Sequence, residues 1–372
     1  MRLTIYPPSS LITPIWSWTT VFPIAATLAM ALAWGRPLPP FVVFIIAALL
    51  GGAVLAAVHH AEVVAHRVGE PFGSLLLAVA VTVIEVALIV TLMIAGASGA
   101  ETLARDTVFA AVIITTNGIV GLSIVAGTRR DGVVAFNAEG AGAALATVAT
   151  LTTLSLVLPN FTTTTPGPVF SAPQLAFAAV TALALYGLFV ALQAGRHRDY
   201  FLPVASDGTM LDGGEHATTP STSATLASLV LLLIALVGVV GNAKLVSPTI
   251  ERVVAEAGLP VSVVGVVIAL LILLPESIAA VRAARRGLMQ TSLNLAFGSA
   301  MASIGLTIPT IAVASIWLPV PLHLGLDPTH IVLFMLTCIV AILTVVPGRA
   351  TLLQAGVHLA LLAAYLFLAV SP

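Results

Sequence analysis

Long apolar runs, broken by glycine, proline and charged residues, follow one another along this chain from about residue 19 to its end. Each run is long enough for a membrane-spanning helix, which needs about 20 apolar residues. The runs are continuous and lack the alternation that is typical of membrane barrel strands. Eleven helical spans are therefore predicted. They cover residues 19–35, 39–61, 71–96, 107–127, 138–158, 173–195, 223–246, 260–281, 289–316, 329–346 and 350–370.

The composition agrees with this pattern. Of 372 residues, 59% are hydrophobic and only 8% are charged, whereas soluble domains have about 25% charged residues. We therefore expect an all-α integral membrane protein surrounded by membrane lipid. The net charge of -1 and the scattered basic residues argue against a nucleic-acid partner. A homo-oligomer remains open.

The distribution of lysine and arginine predicts the orientation of the chain. The first apolar run has no small-residue cleavage site, so we interpret it as a retained span. With eleven spans, ten of the fourteen Lys and Arg residues fall on one side, which the positive-inside rule assigns to the cytoplasm. The N-terminus is then cytoplasmic and the C-terminus periplasmic. The four on the other side are Arg36, Arg105, Lys244 and Arg252.

An internal repeat organises the spans. The third span carries Glu85, and the fourth ends in Gly121-Leu122-Ser123-Ile124. The eighth carries Glu276, and the ninth has Gly305-Leu306-Thr307-Ile308. Each half has five spans, so the two halves are inverted, as in many secondary transporters. The predicted segments are 1–38 with the first span, a first repeat over 39–196, a cytoplasmic linker over 197–222, and a second repeat over 223–372. The linker is either a flexible connection or a regulatory loop that binds cations or senses pH.

Glu85 and Glu276 are the main candidates for chemistry. Each stands in a run with no other charge nearby, and a carboxylate in a span costs about 3 kcal/mol. Pro275 precedes Glu276 and frees a backbone carbonyl one turn earlier. A cation and a proton can compete for such carboxylates, and both glutamates are candidate metal ligands. A structural buried hydrogen bond is the alternative role.

Small polar residues near these glutamates could complete a cation site, since Ca²⁺ takes six to eight oxygen ligands. Their alternative role is helix packing, where small residues are enriched. The candidates are Thr115, Thr116 and Asn117 in the fourth span, and Ser299 and Ser303 in the ninth.

A second polar cluster precedes Glu85. Its members Glu62, His66 and Glu70 recur at intervals of four, on one face of a helix. We interpret the cluster as a cytoplasmic vestibule that attracts cations and relays protons. A solvated interfacial face and a catalytic metal site are the alternatives. The vestibule residues are His60, Glu62, His66 and Glu70, with His59 beside them. His358, in the last span, reads as a hydrogen-bonded packing residue.

Several of these segments resemble the ChaA-type calcium/proton antiporters of the calcium/cation antiporter superfamily. The similar segments are 59–74, which includes Gly-Glu-Pro-Phe-Gly-Ser, 84–86, 269–276, which ends in Leu-Leu-Pro-Glu, 294–299, 348–349 and 358–361. The resemblance implies ten core helices in two inverted repeats plus an extra first helix. It also implies export of a cytoplasmic cation in exchange for protons, with Glu85 and Glu276 as the central glutamates. The positions of Glu70 and Ser299 match as well. The linker lacks the dense acidic run that such proteins can carry, so calcium sensing there is in doubt.

A secondary antiporter is the function that these features favour, and the resemblance implies that it lies in a bacterial inner membrane. Ca²⁺ is the preferred cation, with Na⁺ and K⁺ as alternatives, and the transported ions are the only small partners expected. No enzyme activity and no cofactor are predicted, and the chain contains no nucleotide-binding phosphate loop. An intramembrane metal-dependent hydrolase and a passive cation channel are the alternative functions.

Overall fold

The computed structural model describes residues 17–69, 72–94, 99–195, 198–202, 220–260, 262–317 and 321–372. Nearly all of its regular structure is helical. The α-helices are α1 Trp18–Ala33, α2 Pro40–Val68, α3 Phe72–Ile94, α4 Leu103–Ile113, α5 Val120–Asp131, α6 Ala138–Thr152, α7 Ala172–Ala194, α8 Thr222–Glu256, α9 Ser262–Arg285, α10 Met289–Ala314, α11 Pro328–Val345 and α12 Leu352–Val370. A π-helical segment, Ile114–Ile119, joins α4 to α5, and a second, Thr153–Val157, follows α6. Two 3₁₀ turns span Leu158–Phe161 and Arg198–Phe201.

The helices match the predicted spans. Within the described residues, nine are long and apolar enough to cross a membrane, and two shorter apolar helices are Trp18–Ala33 and Ala78–Ile94. The fourth span is one continuous helix built from α4, the first π segment and α5. The prediction of an all-α integral membrane protein with about eleven spans is confirmed.

Two helices are longer than their predicted spans. α2 continues past residue 61 to Val68 and ends at Gly69, whose φ of 76° lies in the left-handed region. α8 continues past residue 246 to Glu256. Hydropathy marks only the apolar part of a helix, whereas a glycine with positive φ, Gly69 after α2 and Gly258 after α8, marks where the backbone leaves the helix. Glu62 and His66 therefore lie on the helix that also forms the second span.

One small sheet was not predicted. Strand β1 (Val133–Ala135) pairs antiparallel with β2 (Arg349–Thr351), and Val134 lies opposite Ala350. The strands immediately precede α6 and α12. Three residues are too few to show the alternation by which a strand is recognised in a sequence.

The chain forms two compact units. The first comprises Met1–Ala80 with His216–Val246, and its described part contains α1, α2, the start of α3 and the first portion of α8. In this unit His60 Nε2 donates to the carbonyl of Thr19 at 2.9 Å. Asn242 Nδ2 donates to the carbonyl of Ala26 at 2.8 Å. Both bonds fasten a neighbouring helix to α1.

The second unit comprises Val81–Glu215 with Ser247–Pro372. In it, α9 packs against α4, α5, the first π segment and α10. Helix α10 also packs against α6 and α7, and α12 packs against α5, α11 and the same π segment. The first π segment thus contacts helices from both halves of the sequence.

The matched tetrapeptides of the repeat pack in matching ways. A methyl group on Gly121 would lie 2.9 Å from Leu359 Cγ and 3.3 Å from the carbonyl oxygen of Ala355 in α12. A methyl group on Gly305 would lie 2.6 Å from Tyr186 Cβ and 3.5 Å from the carbonyl oxygen of Ala182 in α7. At each glycine the neighbouring helix therefore comes close with the carbonyl oxygen of one residue and with the side chain of the residue four positions later. This close approach explains why glycine stands at both places.

Candidate cation-binding site

Glu85 and Ser303 meet inside the second unit. The hydroxyl of Ser303, on α10, donates to Oε1 of Glu85, on α3, at 2.8 Å. Glu85 is 4% exposed and Ser303 is 5% exposed. Thr307 lies one turn further along α10, and its buried hydroxyl also faces the carboxylate of Glu85. The structure therefore joins a predicted glutamate of the first repeat to a predicted serine of the second.

Glu276 lies within α9, directly after Pro275, and is partly buried. Proline has no N–H, so the carbonyl of Leu271 lacks its usual helix donor at this point. Helix α9 packs against α10, which carries Ser303, and against the first π segment. Glu276 thus stands on a helix that adjoins both sets of predicted polar ligands.

The first π segment carries Thr115, Thr116 and Asn117, all fully or nearly buried. Thr115 Oγ1 donates to the carbonyl of Ala111 at 2.8 Å, and Thr116 Oγ1 donates to that of Val112 at 2.5 Å. These bonds leave the hydroxyl oxygens free to accept. A π segment inside an α-helix is frequently found at functional sites.

Asn117 points to a different group of residues. Its Nδ2 donates to Thr337 Oγ1 on α11, and its Oδ1 accepts from His358 Nδ1 on α12, each at 3.0 Å. His358 Nε2 lies 3.1 Å from Thr344 Oγ1. The structure therefore brings Asn117 together with a buried polar network that was not predicted as part of the site. Ser299 lies one turn before Ser303 on α10 and is partly buried.

The predicted vestibule residues belong to the first unit. His60 is buried and bonded to Thr19, Glu62 is partly buried, and His66 is exposed. Glu70 lies outside the described residues. His60 therefore has a structural bond to α1, while Glu62 and His66 lie one turn apart near the end of α2.

The donor atoms of the candidate site are carboxylate and hydroxyl oxygens. Such hard ligands suit Ca²⁺, Na⁺ or K⁺ better than Zn²⁺ or copper, which prefer nitrogen and sulfur. In the described part of the chain, no three His, Cys, Asp or Glu side chains cluster as metal ligands would. The arrangement can bind a cation or a proton at a buried carboxylate.

Sequence reasoning missed Thr307, Thr337 and Thr344, and it gave His358 only a packing role. One signal was available, because a buried asparagine needs partners for both ends of its amide. The polar residues of the last two spans could have supplied them. A second buried pair, Ser123 and Ser292, joined at 2.7 Å, shows that Ser123 of the repeated tetrapeptide also has a structural partner.

Comparison with known proteins decides the family. The model of the sodium/calcium exchanger protein family matches residues 38–195 and 227–371, most of the chain. This chain belongs to that family. The sodium/calcium exchanger family is part of the calcium/cation antiporter superfamily, as the motifs around Glu85 and Glu276 predict.

Relatives of this exchanger family member match over nearly the whole length. The chain is 45% identical to the putative ionic transporter y4hA of Sinorhizobium fredii, over 96% of this chain and 97% of that one. It is 33% identical to the sodium-potassium/proton antiporter ChaA of Escherichia coli, over 93% and 94%. The crystal structure of the H⁺/Ca²⁺ exchanger CAX superposes with a TM-score of 0.70 at 18% identity, over 94% of this chain and 86% of that chain. This last likeness confirms the exchanger fold.

Proposed function

We propose that this protein is a secondary antiporter that exchanges a cytoplasmic cation for protons, with Glu85 and Glu276 as the groups for which the ions compete. The observation that carries the proposal is the buried hydrogen bond from Ser303 to Glu85. Transporters of inverted-repeat architecture bind their ions at the interface between the repeats, and the bond of Glu85 to a serine of the other repeat supports the same role for this carboxylate.

Competition for one carboxylate supplies the coupling. A buried carboxylate is costly when it is charged and unpaired, so it takes up either a proton or a cation. Binding of both at once is disfavoured because the proton removes the charge that attracts the cation. After the cation is released on one side, the glutamates take up protons there. The protein then changes back to its other access state with the protons bound, so that protons and cation move in opposite directions.

Ca²⁺ is our first candidate for the cation. Two carboxylates balance one divalent ion, and hydroxyl and carbonyl oxygens on α9, α10 and the first π segment would fill further positions. The 33% identical relative is named as a sodium-potassium/proton antiporter, so Na⁺ and K⁺ are the alternatives. The carboxylate charge alone does not exclude them.

The membrane context follows from the same proposal. We place the protein in a bacterial inner membrane because the relatives named above are bacterial. The lysine and arginine distribution supports a cytoplasmic N-terminus and a periplasmic C-terminus. The relatives named above are transporters, and this supports a role without enzyme activity. A hydrolase would show substrate turnover that chelators abolish, and a channel would carry cations without opposing proton flux.

The test is dye-monitored proton flux in proteoliposomes with an imposed pH gradient, with Ca²⁺, Na⁺ and K⁺ added in turn. Wild type is compared with Glu85→Gln, Glu276→Gln and a control, Glu139→Gln, whose carboxylate is exposed. We expect one cation to dissipate the gradient in wild type and in the control but in neither site variant. Exchange by both site variants at the wild-type rate would refute the two-glutamate mechanism.

A further inference from the structure

A buried polar network links the first π segment to the last two helices. It consists of Asn117, Thr337, Thr344 and His358, all of which are buried. We propose that His358 is a positioning residue for transport: it holds Asn117, and through Asn117 it holds the π segment in the geometry that the cation site needs. This inference rests on the proposed antiport function.

The bonds of Asn117 show what it does. Its amide nitrogen is engaged by Thr337, and its amide oxygen is engaged by the Nδ1–H of His358. Both ends of the side chain are thus held by α11 and α12. Asn117 was a predicted cation ligand, but this geometry points to a clamp that fixes the backbone of the π segment.

The position of the π segment matters for the site because of what lies against it. The same segment packs against α9, which carries Glu276, and against α10, which carries Ser303. It also carries the hydroxyls of Thr115 and Thr116. A shift of the segment relative to α11 and α12 would therefore move the hydroxyls of Thr115 and Thr116. It would also change the packing of α10, which carries Ser303.

The repeat provides an internal comparison. Gly121 corresponds to Gly305, so Asn117 corresponds to Met301, and the matching contacts of α7 and α12 place Leu185 where His358 stands. The counterpart pair, Met301 and Leu185, is thus apolar at both positions. Helix packing of this kind does not need the polar network, since replacement of both partners by apolar groups can be nearly neutral. The polar network is therefore specific to the contact of the first π segment with α11 and α12, and the contact that corresponds to it in the repeat lacks the asparagine and the histidine.

Two variants of His358 separate its two bonds. The amide of asparagine can occupy the place of Nδ1, whereas that of glutamine reaches the place of Nε2. His358→Asn thus keeps a donor for Asn117, and His358→Gln keeps only a partner for Thr344. We expect the KM for the cation to rise about tenfold in His358→Gln, as befits one unmade buried hydrogen bond, and to change less than about twofold in His358→Asn.

Two threonine variants serve as controls. Thr337→Val removes the other partner of Asn117 and should raise KM as His358→Gln does. Thr344→Val removes the contact with Nε2 and the bond to the carbonyl of Val340 within α11, but it keeps both partners of Asn117 and should leave KM close to wild type. Unfolding midpoints in detergent are measured for all four variants, because a merely structural role would lower the midpoints in step and leave KM unchanged. The pH profile of exchange is expected to stay as in wild type in His358→Asn.

Equal KM values in His358→Asn and His358→Gln, with exchange intact in wild type, would overturn this inference alone. A pH profile that shifts equally in both variants would also overturn it, since His358 would then carry the proton itself. If wild type exchanges no cation, and no cation raises its unfolding midpoint as a bound ligand should, the proposed function fails and this inference fails with it.

Discussion

The hydroxyl of Ser303 lies 2.8 Å from Oε1 of Glu85 and bridges residues that are 218 positions apart in the chain. Ser303 belongs to the second repeat and Glu85 to the first. The bond fixes the orientation of a buried carboxylate that could otherwise rotate. It also places a hydroxyl oxygen beside the carboxylate, where a cation could contact both.

Ser303→Ala should weaken cation binding without abolishing exchange. A hydrogen bond to a charged group contributes about 1.5–3 kcal/mol, so we expect the KM for the cation to rise roughly tenfold or more while kcat changes little. Cation-dependent proton flux in proteoliposomes measures both. Ser303→Thr keeps the hydroxyl and should restore KM; KM values for Ser303→Ala equal to wild type would show that this bond has no part in transport.

Gly121→Ala and Gly305→Ala should both destabilise the protein. Their added methyl groups would meet Leu359 at 2.9 Å and Tyr186 at 2.6 Å, and such overpacking costs about 1–3 kcal/mol. Gly187→Ala and Gly356→Ala are matched controls on α7 and α12, because a methyl group there would meet nothing within 4 Å. We expect lower unfolding midpoints only for the first pair. A loss confined to one member would argue against equivalent packing in the two repeats.

The sequence was sufficient to predict the spans and the repeat. Apolar runs separated by glycine, proline and charge report directly which segments can lie in lipid, and the glycines at 121 and 305 mark the same close contact in both halves. The sequence also named Glu85 and Ser303 as candidates for one cation site, but it did not predict the hydrogen bond between them.

The remaining features depend on information that a hydropathy pattern does not contain. The π-helical geometry of Ile114–Ile119 is a change in the backbone hydrogen-bond register, and Thr-Thr-Asn within an apolar run does not specify it. The partners of Asn117 are 220 and 241 positions away. The last spans contain several other polar residues, and nothing in the sequence distinguishes the true partners from them. The length of α2 depended on where its backbone stops, not on where its apolar residues end.

His60 and His66 should behave differently although the vestibule hypothesis groups them. His60 is buried and bonded to the carbonyl of Thr19, so His60→Ala should lower the unfolding midpoint, with a cost of about 1–3 kcal/mol for the unpaired carbonyl and the lost packing. His66 is exposed, so His66→Ala should leave the midpoint unchanged.

The vestibule hypothesis adds a kinetic expectation. Glu62→Gln should slow exchange at low cation concentration and low ionic strength. The defect should shrink as salt rises, because salt screens the attraction between the partly buried carboxylate of Glu62 and cations in solution, over about 10 Å at 0.1 M salt. Initial rates of proton flux across a salt series measure this. A defect that is independent of salt would place Glu62 in a structural role.

Asp327 should stabilise the start of α11 through two separate contacts. Its Oδ1 accepts the backbone N–H of His330 at 2.9 Å, and its Oδ2 lies 2.6 Å from His330 Nδ1.

Partial burial raises the pKa of Asp327, but the bonds and charge of His330 and the charge of Arg105 outweigh it and lower the pKa to about 2. A lowered pKa means that the unfolded chain takes up the proton first as the pH falls. The stabilisation is therefore present above about pH 4, near the ordinary pKa of aspartate, and is lost between about pH 4 and pH 2. Asp327→Asn keeps the helix cap and loses the carboxylate charge beside His330 and Arg105, whereas Asp327→Ala loses both, and a cap is worth about 1 kcal/mol. Unfolding midpoints in detergent at pH 7 should fall in the order wild type, Asp327→Asn, Asp327→Ala. The advantage of wild type over Asp327→Asn should persist down to pH 5, and its disappearance between pH 7 and pH 5 would mean that another group is responsible for it.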